Sequence, residues 1–298
     1  MCVRIMNIFL KKGGSHLNSV GRIGVTVDVP RSFGLFHILC LVALFLIAIL
    51  LARALDGASE RKFRYAMLII WITLALFDLY KQITHDYMHT DGAGNIIYDY
   101  YWYAFPFQLC STPLYVLPLI AFLKEGRLRE AFISFLTFFS LIGGVFVLIL
   151  PETCFTDRLF VNIQTMLHHG AQVIISILLV RRYKSKMRFR FFLDGFFVFL
   201  AFVGIAFLLN VSINGIFGEA VYGFNMFYIG PYYLELMPAL SFLSEIAPYP
   251  VFLFGYIVLI SSLAYLSYRI LLAIVTRGAE GEGDSENFSN DSNENIEK

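Results

Sequence analysis

The chain has 298 residues, of which 58% are hydrophobic and only 15% charged, with 31 Phe, 17 Tyr and a mean hydropathy of +0.69. Soluble globular chains are about 45–50% apolar and about 25% charged, so this composition excludes a soluble α/β enzyme, a secreted disulfide scaffold and a disordered protein. A net charge of +1 offers no concentrated basic face, which excludes a nucleic-acid partner argued from bulk charge.

Residues 1–32 form a polar, basic segment (Arg4, Lys11, Lys12, Arg22, Arg31). Its short apolar run is followed, not preceded, by a Lys pair, unlike a signal peptide. Beyond it the hydropathy predicts an all-α polytopic membrane protein, because a helix needs about 20 mostly apolar residues to cross the hydrocarbon. Seven transmembrane helices are expected, over residues 33–55, 63–83, 107–123, 131–150, 159–180, 191–210 and 251–272, within a membrane domain of 33–274. The runs are continuous, with no alternation at period two, which excludes a closed barrel.

In chain order, the first span carries His37 and Cys40, three residues apart on one helix face. A basic loop follows (Arg53, Arg61, Lys62, Arg64), and the second span ends in Asp78, Lys81 and Gln82. The tyrosine-rich segment after it holds His85, Asp86 and His89 and no Lys or Arg before the third span, which opens with Gln108 and Cys110. A second basic loop (Lys124, Arg127, Arg129) leads to the fourth span, and Cys154 lies just past its end. The fifth span is unusually polar, with Asn162, Gln164, His168 and His169. A third loop holds Arg181, Arg182, Lys184, Lys186, Arg188 and Arg190 with no acidic neighbour, and the sixth span ends at Asn210, near Asn214. A long aromatic loop, 211–250, precedes the last span. Residues 275–298, rich in Gly, Ser, Asn and acid, are expected to form a disordered tail.

Short loops rich in Lys and Arg stay in the cytoplasm. Three alternate basic loops therefore place the amino terminus outside and the carboxyl terminus in the cytoplasm of a multi-pass cell-membrane protein. The basic amino-terminal segment runs against this rule and is outvoted by the three loops. Each polar residue within a span costs about 2–4 kcal/mol unless it faces a partner or a cavity, and these residues concentrate in the outer half. That asymmetry predicts a polar pocket opening at the outer interface.

Within it, Cys110 and His169 are the candidate catalytic pair, since an imidazole can take a thiol proton and leave a nucleophilic thiolate. On helix geometry Cys110 lies about 5 Å and His169 about 15 Å into their spans, a depth mismatch of roughly 10 Å. Gln108 and Asn225 are candidates to orient the imidazole or hold an oxyanion, with His37, His168, Asp78 and Lys81 in support. Structural readings stand beside these: Cys110 as a packing residue, a Cys110–Cys154 disulfide, His37 bound to lipid headgroups, and Asp78 with Lys81 as an ion pair at the membrane edge. The His residues also raise a zinc site, although adjacent histidines point about 100° apart on a helix and rarely share one ion. No glycine-rich phosphate loop, Walker motif or CxxC appears, so no cofactor or resident metal is expected.

The motifs FGLFHILCL, FPFQLCSTP, TMLHHG, GFNMFYIGP and PYPVF, in this order across the spans, resemble the YwaF-like integral membrane proteins of bacteria, grouped with the animal transmembrane acyltransferases that act on ether phospholipids. The likeness covers about residues 33–272 and marks His37, the Gln108-Leu109-Cys110 motif, His169 followed by Gly170, and Gly223 with Asn225. It implies a seven-helix protein that moves fatty acyl chains through a cysteine, with membrane phospholipids or lysophospholipids as partners. The expected function is a cysteine-dependent lipid acyltransferase or acyl hydrolase of the outer leaflet. The alternatives are a non-catalytic carrier or lipid-binding protein, and a membrane zinc hydrolase.

Overall fold

The structure is a computed structural model and describes residues 25–90, 95–232 and 247–294. Helix α1 (Leu35–Ala54) turns through Gly57, whose φ of 59° suits a residue without a Cβ, into α2 (Glu60–Lys81). Ser59 caps α2 by accepting from the Lys62 amide, and a π-helical stretch extends the helix to Tyr87. A two-stranded hairpin, β1 (Met88–Thr90) with β2 (Ile96–Tyr98), follows. Next come α3 (Pro113–Phe122), then α4 (Arg127–Phe135) and α5 (Leu141–Ile149) joined through a π stretch. Helices α6 (Leu159–Tyr183), α7 (Phe189–Phe217) and α8 (Tyr249–Glu294) complete the chain. Side chains beyond Arg277, where the disordered tail was expected, lie outside the described residues, as do residues 1–24 of the basic amino-terminal segment.

Six helices are long and apolar enough to cross a bilayer: Leu35–Ala54, Glu60–Tyr87, Arg127–Ile149, Leu159–Lys186, Phe189–Val221 and Tyr249–Arg277. The third of the seven expected spans is not a full helix. Its helical part, Leu109–Phe122, is only about 21 Å long against a hydrocarbon core of about 30 Å. Proline explains the break. Pro106 precedes it, and Pro113 takes the first position of α3, where its fixed φ and missing N–H suit a helix start. A further proline inside α3, Pro118, cannot donate to the Leu114 carbonyl. The Trp71 indole N–H on α2 donates to that carbonyl instead, at 2.7 Å. Near the other end of α3, Arg64 donates to the Ala121 carbonyl at 2.9 Å and Arg129 to that of Ile120 at 2.7 Å. Helix α3 therefore runs antiparallel to α2 and begins beside Trp71, about 16 Å along α2 from Glu60.

The three basic loops meet at one end of the bundle. Glu60 pairs there with Arg64 at 2.9 Å, Arg129 at 2.6 Å and Arg182 at 2.7 Å, and Arg127 pairs with Asp194 at 2.8 Å. The opposite end carries residues 25–32, which bond the loop before α6 through Val27 to Asp157 and Leu159 to Val25, with Ser32 on Glu152. Helix α6 is the centre: 72% of its apolar window is buried, against 6% for α1 and 17% for α8. It packs against α1, α2 and α5. A ladder of aromatic rings joins α4 and the π stretch after it to α7, with Phe135–Phe202 centroids 5.2 Å apart and Phe139–Phe199 4.9 Å apart.

The aromatic loop expected over residues 211–250 partly folds inward. Helix α7 runs seven residues past the expected end at Asn210, and Phe224, Met226, Phe227 and Ile229 are then buried in the bundle. Phe227 and Tyr228 both adopt φ of 57°, a left-handed backbone costly for such side chains. Amide side chains hold it. Asn210 accepts from the Met226 amide at 2.6 Å and donates to its carbonyl at 2.9 Å, while Asn214 donates to Phe224 and Gln108 to the Asn225 carbonyl. The Asn225 side chain accepts from the Gly230 amide at 2.7 Å.

Candidate functional site

Cys110 lies in a 3-10 turn, Leu109–Ser111, between the irregular approach from the hairpin, which holds a 3-10 turn of its own at Trp102–Ala104, and the start of α3. Its contacts place Cys110 level with the middle of α6. Two side chains one helical turn apart on α6 reach its backbone: His168 Nε2 lies 2.9 Å from the Cys110 carbonyl and Gln172 Nε2 donates to it at 2.8 Å. The depth mismatch expected from a helix starting near Phe107 is thereby removed for His168. Cys40, Cys110 and Cys154 are all thiols, so Cys110 and Cys154 are not joined in a disulfide.

The acceptor nature of these contacts fixes the imidazole tautomers. A carbonyl can only accept, so His168 carries its proton on Nε2 and presents a lone pair at Nδ1. His169 bonds the Thr165 carbonyl through Nδ1 at 2.8 Å, which leaves its lone pair at Nε2. The two rings lie 5.6 Å apart, centroid to centroid, and both residues are buried. The hydrogen bond to Cys110 thus comes from His168, the histidine that the motif leaves as an extra, while His169 turns its Nδ1 to its own helix.

Glycines on α5 make room for this arrangement. A Cβ at Gly144 would lie 2.7 Å from the His169 carbonyl and 2.9 Å from Gln172 Cβ, and one at Gly143 would lie 3.2 Å from Gln172 Oε1 and 3.5 Å from Cys110 Cβ. Around the turn, Gln108 Oε1, Ser140 Oγ, His168 Nδ1 and Gln172 Oε1 are buried with no hydrogen-bond partner among the described residues. Buried polar atoms almost always find partners, so such a group equips the interior for a hydrogen-bonding ligand. Tyr256 of α8, itself buried, lies within electrostatic reach of Cys110.

The other candidate residues go elsewhere. His37 accepts from the Phe33 amide at 2.9 Å and contacts the Leu148 carbonyl at 3.0 Å, which ties α1 to the end of α5. Gln108 and Asn225 are brought together, but at the inward-folded loop, where Gln108 holds the Asn225 backbone. Lys81 pairs with Asp86 at 2.8 Å, and His85 bonds the other Asp86 oxygen at 2.7 Å. Asp78 lies within electrostatic reach of both Lys81 and His168, so this charged cluster extends from the end of the bundle opposite the basic loops toward Cys110. Among the described residues, no three His, Cys, Asp or Glu side chains group so that they could hold a metal ion.

Sequence reasoning singled out neither Gln172, nor Tyr256, nor the Gly143–Gly144 pair. Gln172 carried a usable signal, being an uncharged polar residue four positions after His168 in an apolar helix. No curated protein and no solved structure matches the chain. Its length and apolar helices make it a multi-pass membrane protein, and the model of one family matches residues 32–268. The chain belongs to the TMEM164 family.

Proposed function

We propose that the chain is a membrane-embedded acyl-transfer enzyme in which Cys110 is the nucleophile. The observation that carries this reading is the position of Cys110: half-buried in an apolar bundle, in the turn that leads into the half-helix α3, its carbonyl bonded by His168 of α6, whose ring lies 5.6 Å from that of His169. The amide end of a helix favours negative charge, and broken membrane helices present such ends to anionic groups at mid-depth. A thiolate formed there attacks the carbonyl carbon of a lipid ester. The ester C–O bond breaks, the leaving alkoxide takes the proton held by the imidazolium, and the acyl chain remains as a thioester. A lysolipid hydroxyl or water then gives its proton to the imidazole, attacks the thioester and releases Cys110. His169 is the proposed base, through Nε2. Gln108 and Asn225 hold the inward-folded loop over the site, and Asp78 and Lys81 set its electrostatics.

The same reading includes seven crossings, the third made of the irregular segment before Cys110 plus α3, with the amino end outside and the carboxyl end in the cytoplasm. Irregular backbone at membrane depth is tolerated where protein surrounds it, which suits the buried residues Phe107, Gln108, Ser111 and Thr112. The test is Cys110→Ala followed by membrane lipid profiling. The expected result is a changed acyl-chain distribution in at least one phospholipid class; an unchanged distribution in all of them overturns the proposal.

A non-catalytic carrier is the second reading, favoured by the Lys81, Asp86 and His85 cluster at the outer end, which suits a charged ligand as well. An acyl-phosphonate probe separates the two, because a carrier forms no covalent adduct at Cys110.

A further inference from the structure

We propose that Gln172 is a positioning residue that fixes the backbone of Cys110 and thereby the place from which its thiol reacts. The catalytic meaning of this assignment rests on the acyl-transfer reading, whereas the positioning itself rests on geometry alone. The Cys110 carbonyl needs an outside donor because the residue three positions on is Pro113, which has no N–H to close a 3-10 turn onto it. Helix α6 supplies two, Gln172 at 2.8 Å and His168 at 2.9 Å.

Gln172 does more than donate. Its amide orientation is set, since only the NH2 group can face a carbonyl, and this turns Oε1 to the opposite side. There Oε1 lies over Gly143, 3.2 Å from where a Cβ would stand, in the space that Gly143 shares with the Cys110 Cβ at 3.5 Å. It is buried, in a residue 1% exposed, and has no partner among the described residues. A buried acceptor beside the Cys110 side chain can take the hydroxyl proton of an incoming acyl acceptor. One side chain therefore sets the position of the main chain and places an open acceptor beside the cysteine, and Gly143 and Gly144 keep the space open for it.

The experiment measures alkylation by N-ethylmaleimide in the detergent-solubilised full chain, with mass spectrometry resolving Cys40, Cys110 and Cys154 among its four cysteines. Loss of one hydrogen bond to a backbone group in the interior corresponds to about tenfold. Gln172→Leu is therefore expected to raise the Cys110 rate about tenfold while Cys40 and Cys154 stay within about twofold of the parent. Gln172→Glu, whose protonated carboxyl still donates one O–H to the Cys110 carbonyl, is expected to return the Cys110 rate to within about threefold of the parent. The proposal is overturned by a Cys110 rate unmoved in Gln172→Leu, by equal behaviour of the Glu and Leu variants, or by parallel acceleration at all three cysteines, which reports general loosening. If the parent protein takes no acyl-phosphonate label but the alkylation pattern holds, acyl transfer fails and the positioning role of Gln172 stands.

Discussion

At the residue scale, the interior is organised around carbonyls that proline leaves without a helical donor. Pro118 strands the Leu114 carbonyl, and Trp71 answers it; Pro113 leaves that of Cys110 to Gln172 and His168. The first pair gives a clean test. Trp71→Phe keeps an aromatic side chain, smaller than the indole, but removes the N–H, and is expected to lower stability by about 1–3 kcal/mol, read as a lower melting temperature in detergent. Pro118→Ala restores a helical N–H for Leu114, so Trp71→Phe should cost clearly less in that background; equal cost in both backgrounds rejects the pairing. Asn210 is a second case, because its amide satisfies both polar groups of Met226. Asn210→Leu is expected to cost about 2–4 kcal/mol, and Asn210→Asp, which keeps the acceptor, less. These residues also show what the sequence could and could not reveal. The cost of burying polar groups singles out His37, Gln108, Asn210 and Asn214 as residues that need partners, yet it cannot say which, and Asn225 was marked only by the motif around it. Each has a backbone group as a partner, at places where the chain breaks from regular geometry, and the left-handed pair Phe227–Tyr228 carries no glycine to announce such a break.

At the element scale, six long helices are legible because length and hydropathy decide them. The break in the third expected span is not, although its prolines were in view, since hydropathy registers apolar residues and ignores missing N–H groups. The consequence reaches the site: an irregular approach with a 3-10 turn, not a helix from Phe107, leads to Cys110, whose carbonyl meets His168. The same scale explains the glycines of α5. Gly144 sits where a Cβ would meet the α6 backbone, whereas Gly204 and Gly215 of α7 have nothing within 4 Å. Gly144→Ala should therefore force α5 from α6 and lose more than about 2 kcal/mol, with lower yield of folded protein. Gly204→Ala should be neutral or gain up to about 1 kcal/mol through helix propensity. Size-exclusion profiles and melting temperatures of the two variants check the contrast; equal losses would mean that the α5–α6 contact is not what Gly144 serves.

At the scale of the whole molecule, one carboxylate joins three loops that are distant in sequence. Glu60 begins α2, Arg129 lies in α4 and Arg182 ends α6, so their meeting puts the three basic loops at the same end and gives the positive-inside pattern a physical anchor. Arg129 is only 3% exposed and also bonds the Ile120 carbonyl, so it cannot retreat to water when its counter-charge is removed. Glu60→Gln leaves a buried guanidinium uncompensated and is expected to cost about 3–5 kcal/mol. A partner removed at the rim behaves differently: Asp56, 74% exposed opposite Arg181, should contribute less than about 1 kcal/mol, and Asp56→Asn should melt as the parent does. The clamp also makes the proposed orientation testable by single-cysteine accessibility in intact cells, on a background lacking the native cysteines. Lys184→Cys, in the loop at the clamped end, is expected to resist a membrane-impermeant maleimide until the cells are opened. Asp28→Cys, in the segment bonded to the loop before α6, is expected to react at once. The bundle places these two positions at opposite ends, so labelling of both or neither in intact cells contradicts the crossing pattern, and the reverse order inverts the orientation while leaving the fold intact.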